Sequence, residues 1–276
     1  MNRTLVLSDL HLGRVTTYAH APEVIAPLVE GFDRVLLLGD IIDHWYTKEH
    51  QVRELEERIF EVCKKAGVKE VLYFRGNHDA CTDCGEEFAL IDGVLYLHGH
   101  AVYHSLPGEG PPTARIRKLN SKKFGPTRLA SRVDKHVWTV IDKVYGAIPM
   151  ALLSPIAWPW PVTRRIKALV AELAPHGGVR GVVLGHSHRP GVRRMGELTL
   201  FNLGGWMKNT RAFAFVRDHH RAKLIHIENR SHTLRWGHVL HDSEFEASML
   251  SDKISLSGVE RSNGHAPLAQ AQDERR

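Results

Sequence analysis

Five short blocks of this 276-residue chain carry side chains that bind metal ions. Asp9 and His11 stand two residues apart, as do His186 and His188, while Asp40, Asn77 and His98 stand singly. Alternate residues of an extended segment point the same way, so each two-apart pair can aim at one place. The set mixes carboxylate, carboxamide and imidazole donors and contains no thiolate. It suits Mn²⁺, Fe²⁺/Fe³⁺ or Zn²⁺ rather than a cysteine-rich structural zinc site. Seven donors exceed what one tetrahedral ion needs. They fit two ions about 3.5–4 Å apart that share one carboxylate, an arrangement that acidifies a water and clamps the oxygens of a phosphoryl centre. The expected chemistry is metal-assisted hydrolysis of a phosphate ester or anhydride. The expected cofactors are two divalent ions, manganese foremost, with iron or zinc as alternatives.

His78 and Asp79 follow Asn77 directly. A leaving oxygen needs a nearby acid or positive charge, and His78 can be that group. Asp79 is the carboxylate expected to orient it. Asp43, three residues after Asp40, is expected behind the ligands or at a helix start. Asn77, His78 and Arg189 are the expected substrate contacts.

The elements that must position these residues are short apolar runs. Thr4–Leu7, Asp33–Leu38, Val71–Phe74, Val94–Leu97 and Val182–Leu184 read as buried strands, and each runs into one of the five blocks. Strand ends of an open α/β sheet converge on one edge, where ligands bind. Helices are expected over about Ala21–Glu30, with Pro22 in the first turn, and over Gln51–Ala66, which Gly67 ends. Further strands are expected at Leu198–Phe201, Ala212–Val216 and Lys223–Ile227, with Asn202–Trp206 a tight connection and another hairpin over Asn229–Leu240.

The segment 101–178 does not alternate strand and helix. It holds a basic stretch from Arg115 to Arg132, an apolar helical stretch from Val137 to Leu153, and Trp158 and Trp160 between prolines. It reads as a helical insertion beside the site, either packed on itself or facing substrate. The prolines flanking Trp160 are expected to prevent a helix there and leave a tryptophan on a rim. From 242 onward the chain turns polar and is expected to be a disordered tail, so the domain is placed at 1–241.

Bulk properties bound the function less tightly. Formal net charge is +6 and pI about 9.3, which suits a polyanionic partner such as a phosphate ester, nucleic acid or anionic lipid headgroups. The three cysteines, Cys63, Cys81 and Cys84, make no disulfide framework, and the single Cys81-x-x-Cys84 is expected to be incidental. A strand-like run opens the chain without a signal peptide, and no stretch is apolar for the roughly 18 residues of a membrane span. A cytoplasmic location is the expectation.

Asp9-x-His11, Gly39-Asp40-x-x-Asp43, Gly76-Asn77-His78-Asp79, His98-Gly-His and Gly185-His186-x-His188 occur in that order. Together they resemble the calcineurin-like metallophosphoesterase superfamily over residues 1–100 and about 180–230. The resemblance implies a two-sheet α/β sandwich with helices outside and a helical insertion. It implies one metal on Asp9, His11 and His188, another on Asn77, His98 and His186, and Asp40 as the bridge. It also implies that His78 contacts the phosphate and that Asp79 orients it. Within the superfamily the chain is most similar to UDP-2,3-diacylglucosamine diphosphatases of lipid A synthesis. The similarity lies in size, in the insertion, in Gly-His-Ser-His-Arg-Pro and in Asn202-Leu203-Gly204-Gly205-Trp206. His78 matches the wider superfamily rather than that branch.

That likeness implies a lipid-linked diphosphate substrate, a lid over acyl chains, and peripheral contact with the inner face of a membrane. Three other readings stand beside it. One is a phosphodiesterase or phosphatase acting on a soluble nucleotide or phosphoprotein. A nuclease ranks lower and nucleic acid is not an expected partner, because aromatics interleave with basic residues only over 138–167. The last is a metal-bearing scaffold without turnover.

Overall fold

The computed structural model describes residues 3–79, 85–104, 111–120, 140, 143–144, 147–148, 160–218, 221–230, 233–244 and 254–255. The strands are β1 (Thr4–Leu7), β2 (Arg34–Leu38), β3 (Glu70–Phe74), β4 (Ala89–Ile91), β5 (Val94–Tyr96), β6 (Gly181–Leu184), β7 (Gly191–Met195), β8 (Leu198–Asn202), β9 (Phe213–Asp218), β10 (Arg221–Arg230), β11 (Thr233–Glu244) and β12 (Ile254–Ser255). They form two six-stranded sheets, ordered β11-β10-β9-β1-β2-β3 and β12-β4-β5-β6-β8-β7. In the first sheet β1, β2 and β3 are parallel; in the second β5, β6 and β8 are.

Strand alternation sorts the apolar side chains into three layers. Val6, Leu36, Leu38 and Phe74 face inward and meet the second sheet through Phe201 and Phe215, whose rings lie 5.0 Å apart. Leu5, Leu7, Val35 and Leu37 face outward onto α2 (Glu49–Lys65), through its Val52, Ile59, Val62 and Cys63. Burial pushes the Cys63 thiol up to about 12, so it is an inert core group. On the far side, Leu95, Val182 and Leu184 pack against Ile116 of α4 (Pro112–Asn120) and against Val162, Ile166, Leu169 and Leu173 of α5 (Trp160–Leu173). The architecture is an α/β/β/α sandwich, as the resemblance implied.

Several local expectations change. The helix expected over Ala21–Glu30 is a 3-10 turn, Pro22–Ile25, followed by a single turn α1, Ala26–Val29. Pro27 lacks the N–H that would continue one helix through both. Trp160 begins α5 rather than a loop, because Pro161 falls in the first turn, where a missing N–H costs nothing. Trp160 is 71% exposed, so a tryptophan does stand on the rim. The two ends of the insertion belong to the sandwich, since α3 (His100–His104), α4 and α5 bury their apolar faces on the second sheet. The helix expected over Val137–Leu153 lies mostly outside the described residues, as do Trp158, Cys81 and Cys84. The tail is not wholly irregular: β11 runs to Glu244, and β12 pairs with β4. No helix among the described residues is long and apolar enough to cross a membrane.

Candidate metal centre

The parallel strands β1, β2, β3, β5 and β6 all end at the same edge, and their following loops stay paired there. Asp9 N–H donates to Gly39 O at 3.0 Å, His11 N–H to Asp40 O at 2.9 Å, and Gly185 N–H to His98 O at 3.0 Å. The backbone then turns sharply at the ligand positions themselves. Asp9, His11, Asp40, His186 and His188 have φ between 49° and 65°, the left-handed region. Only one other described non-glycine residue, Asp92, does the same. Such a conformation costs about 1–3 kcal/mol per residue and persists only where the surroundings enforce it. Two neighbouring glycines provide room: a Cβ on Gly76 would strike Asp40, and one on Gly185 would strike Ser8 and Asp9.

The seven sequence-predicted ligands come together as two adjoining groups. In the first, Asp9 Oδ1 lies 3.2 Å from His188 Nε2, which is 3.1 Å from His11 Nε2. In the second, donor atoms of Asp40, His98 and His186 lie within 4.8 Å of one another, and Asn77 Oδ1 is 3.3 Å from His98 Nε2. Asp40 Oδ2 sits between the groups, 3.3 Å from His98 Nε2 and 3.9 Å from His11 Nε2. His98 donates from Nδ1 to Leu38 O at 2.9 Å, which turns Nε2 toward Asp40. The loop holding His186 and His188 is pinned by Asn202, which donates to Gly185 O at 3.1 Å and Ser187 Oγ at 2.8 Å. Arg189 follows on that loop, partly buried.

Asp9, Asp40 and Asp43 are all buried, and positive charge gathers around them. Burial opposes a charge on His98, but Asp40 and Asp9 outweigh it and push its pKa up to about 9. Burial likewise opposes the charge on His78, and Asp40 and Asp43 raise it to about 9. Burial works against ionised Asp40 too, yet the surrounding His98 and His78 hold it well below the usual carboxylate range. The buried carboxylates that raise these imidazoles would hold a divalent cation in place of their protons, which metal binding would release. Donor chemistry and backbone geometry both fit two such ions.

One sequence expectation is corrected here. Asp79 does not orient His78. Its buried carboxylate accepts the N–H groups of Asp40 (2.7 Å), Ile41 (3.0 Å), Ile42 (3.3 Å) and Gly76 (2.8 Å), and the Tyr73 hydroxyl (2.8 Å). It ties the β2 loop to the β3 loop. The carboxylate on His78 is Asp43, with Oδ1 3.2 Å from His78 Nδ1 and Oδ2 3.1 Å from His11 Nδ1. Asp43 therefore holds a ligand and the proposed acid at once. Asn202 stood out in sequence only within a connecting block; its anchoring of the ligand loop shows in the structure alone. Trp45 packs on His78, ring centres 4.6 Å apart, and His100 is buried behind the second group, 5.4 Å from the His98 ring.

A family model, calcineurin-like phosphoesterase, matches residues 2–190. The chain belongs to that family. Solved structures with a similar fold include Vps29 from Chaetomium thermophilum, at 12% identity over 90% of this chain and 100% of that one, with a TM-score of 0.49. Another is YfcE, a phosphoesterase from E. coli, at 16% identity over 88% of this chain and 100% of that one, with a TM-score of 0.43. Among curated proteins, none matches this chain in sequence. The family's fold and the two donor groups agree on a metal-binding phosphoesterase framework.

Proposed function

We propose that the protein is a dinuclear metal-dependent hydrolase of phosphate esters or anhydrides. The observation that carries this is Asp40, one buried carboxylate placed between two separate His/Asp groups. Asp9, His11 and His188 would hold one ion, and Asn77, His98 and His186 the other, with Asp40 shared. Bound there, two divalent ions, manganese foremost, supply Lewis acidity at phosphorus and an acidified water. The chain's own groups do the rest. His78 stands beside the shared carboxylate, its backbone N–H on Asp40 Oδ1 at 2.7 Å, with Asp43 fixing Nδ1. Its other ring nitrogen is assigned to the phosphate and to the leaving oxygen, which it protonates. Asn77 and Arg189 are assigned to the substrate's oxygens. Asp79 holds the two loops in register.

The finer substrate reading is UDP-2,3-diacylglucosamine or a related lipid-linked diphosphate, cleaved to a nucleotide monophosphate and a lipid phosphate. Its support is the block resemblance, together with exposed Trp160 stacked under Arg164, guanidinium carbon 5.5 Å from the ring centre. An apolar ring beside a cation suits a lipid headgroup boundary, and with it a place at the inner face of a membrane. The test is a hydrolysis panel on metal-stripped protein reloaded with Mn²⁺. It compares an aryl phosphodiester, a soluble UDP-sugar and UDP-2,3-diacylglucosamine in detergent. Preference for the acylated substrate with UMP released supports the lipid reading. Turnover of the soluble esters alone keeps the hydrolase and removes the lipid. Bound metal with no turnover on any of them overturns the hydrolase in favour of a scaffold.

A further inference from the structure

The β10–β11 hairpin carries a second set of metal-binding side chains that phosphoester hydrolysis does not use. His226 and Glu228 stand two apart on β10 and share a face. His238 comes from β11. One donor atom from each lies within 4.8 Å of the others, and the two imidazole rings are 4.9 Å apart.

This convergence depends on a break in the ladder. Pairing runs Glu228 with Arg235, Ile227 with Trp236, and then Ile225 with Val239. Between the last two pairs, His226 alone faces Gly237 and His238. In an unbroken ladder His238 would pair with Ile225 and point to the opposite surface. The extra residue turns His238 onto the face of His226. Gly237 makes room as well: a Cβ there would meet Glu228 Cγ at 2.8 Å and Oε1 at 3.0 Å.

The surroundings also point to a ligand. Nδ1 of His226 is buried and has no hydrogen-bond partner among the described residues. Buried polar atoms are nearly always satisfied, so this nitrogen is short of one. Phe213 of β9 backs both rings, with centre distances of 5.1 Å to His226 and 6.3 Å to His238. An apolar wall behind polar donors is the usual outer surrounding of a metal site.

We propose that His226, Glu228 and His238 bind a zinc ion at a site separate from the dinuclear centre. Two imidazoles and one carboxylate form a known three-ligand zinc set, with the fourth position left to water. Paired imidazoles select against calcium and magnesium, which take oxygen ligands. The site lies at the same end of the first sheet as Asp9. His226 pairs with Phe213, two residues past the Val6 partner Phe215, and β10 is two strands from β1. Two strand spacings put it about 10 Å to the side of β1. A zinc there clips β10 to β11 across the bulge and fixes a register that the ladder leaves open.

The test uses the full chain, stripped with chelator, reloaded with Zn²⁺ and desalted. Zinc is counted by mass spectrometry, and the visible spectrum of the Co²⁺-loaded protein is recorded in parallel. Wild type is compared with H238A, which removes an exposed side chain, and with E228Q, which keeps shape and removes charge. The wild type is expected to hold one zinc more than either variant. Affinity at that site is expected to fall by more than the 10- to 100-fold that loss of an outer-shell partner brings. The cobalt spectrum is expected to lose one component while phosphoester turnover stays unchanged. Equal counts in wild type and both variants overturn the site, and a loss in only one variant overturns the three-ligand assignment.

Discussion

The two sheets supply chemically different halves of the centre. The first sheet brings every carboxylate: Asp9 after β1, Asp40 and Asp43 after β2, and Asp79 after β3. The second brings only imidazoles, His98 after β5 and His186 and His188 after β6. The first-sheet acids are also structural. Asp79 takes four backbone N–H groups, and Asp9 accepts His186 N–H at 3.0 Å. The second-sheet imidazoles are themselves held in place, His98 through Leu38 O and the His186–His188 loop through Asn202. Every carboxylate charge thus comes from the first sheet, while the second adds imidazole nitrogen alone, beside His11 and Asn77 of the first.

The sharpest way to break this contrast is Asp40→Ala. It is expected to abolish loading of both ions and turnover, measured by metal analysis and a phosphodiester assay; full loading and rate would remove the shared carboxylate. Next, His78→Ala is expected to keep its metal and lose about 10²–10⁴ in turnover, most for poor leaving groups. An unchanged rate across leaving groups would take His78 out of the reaction. Asp79→Asn and His188→Ala test the asymmetry directly. The first puts an amide against N–H donors, and is expected to cost about 1–3 kcal/mol in a denaturant titration. The second is expected to weaken one ion by more than the 10–100-fold that loss of an outer-shell partner brings, with stability unchanged. Equal destabilisation by both would end the distinction.

The smallest effect concerns Glu56 on α2, near Asp79. Burial, then Asp79, raises its pKa from 4.5 to about 7. A raised carboxylate pKa means that ionisation opposes the fold. The penalty is absent below pH 4.5, grows as pH rises, and is complete above about 7. Glu56→Gln is therefore expected to raise Tm by about 2–4 °C above pH 7, the effect of ~1 kcal/mol in a domain this size, and to change nothing below pH 4.5. A gain independent of pH would mean that packing, not charge, is responsible.

The sequence made the parallel strands and their ligands legible because both signals are local. Buried aliphatic runs that end in glycine and a polar residue identify β1, β2, β3, β5 and β6. What escaped were elements whose identity is set by their neighbours. β4 has three residues, β7 is an edge strand containing Arg193 and Arg194, and β12 is two residues in a polar stretch. The positions of Asp9, His11, Asp40, Asn77, His98, His186 and His188 could be read from spacing. The exchange of roles between Asp43 and Asp79 could not, because it turns on which loop lies under which. The His226–His238 pairing is hidden for the same reason: a bulge has no residue signature of its own in this stretch.

The left-handed ligand positions carry a consequence for how this protein would change. At each of Asp9, His11, Asp40, His186 and His188, glycine would relieve backbone strain that Asp and His cannot. Selection for folding alone would drift the part-buried His186 and His188 toward glycine first, since Asp9 and Asp40 also accept the N–H groups of His186 and His78. Decay of the chemistry in any descendant of this chain should thus be visible as glycine spreading through the strand-end blocks while the strands behind them stay intact.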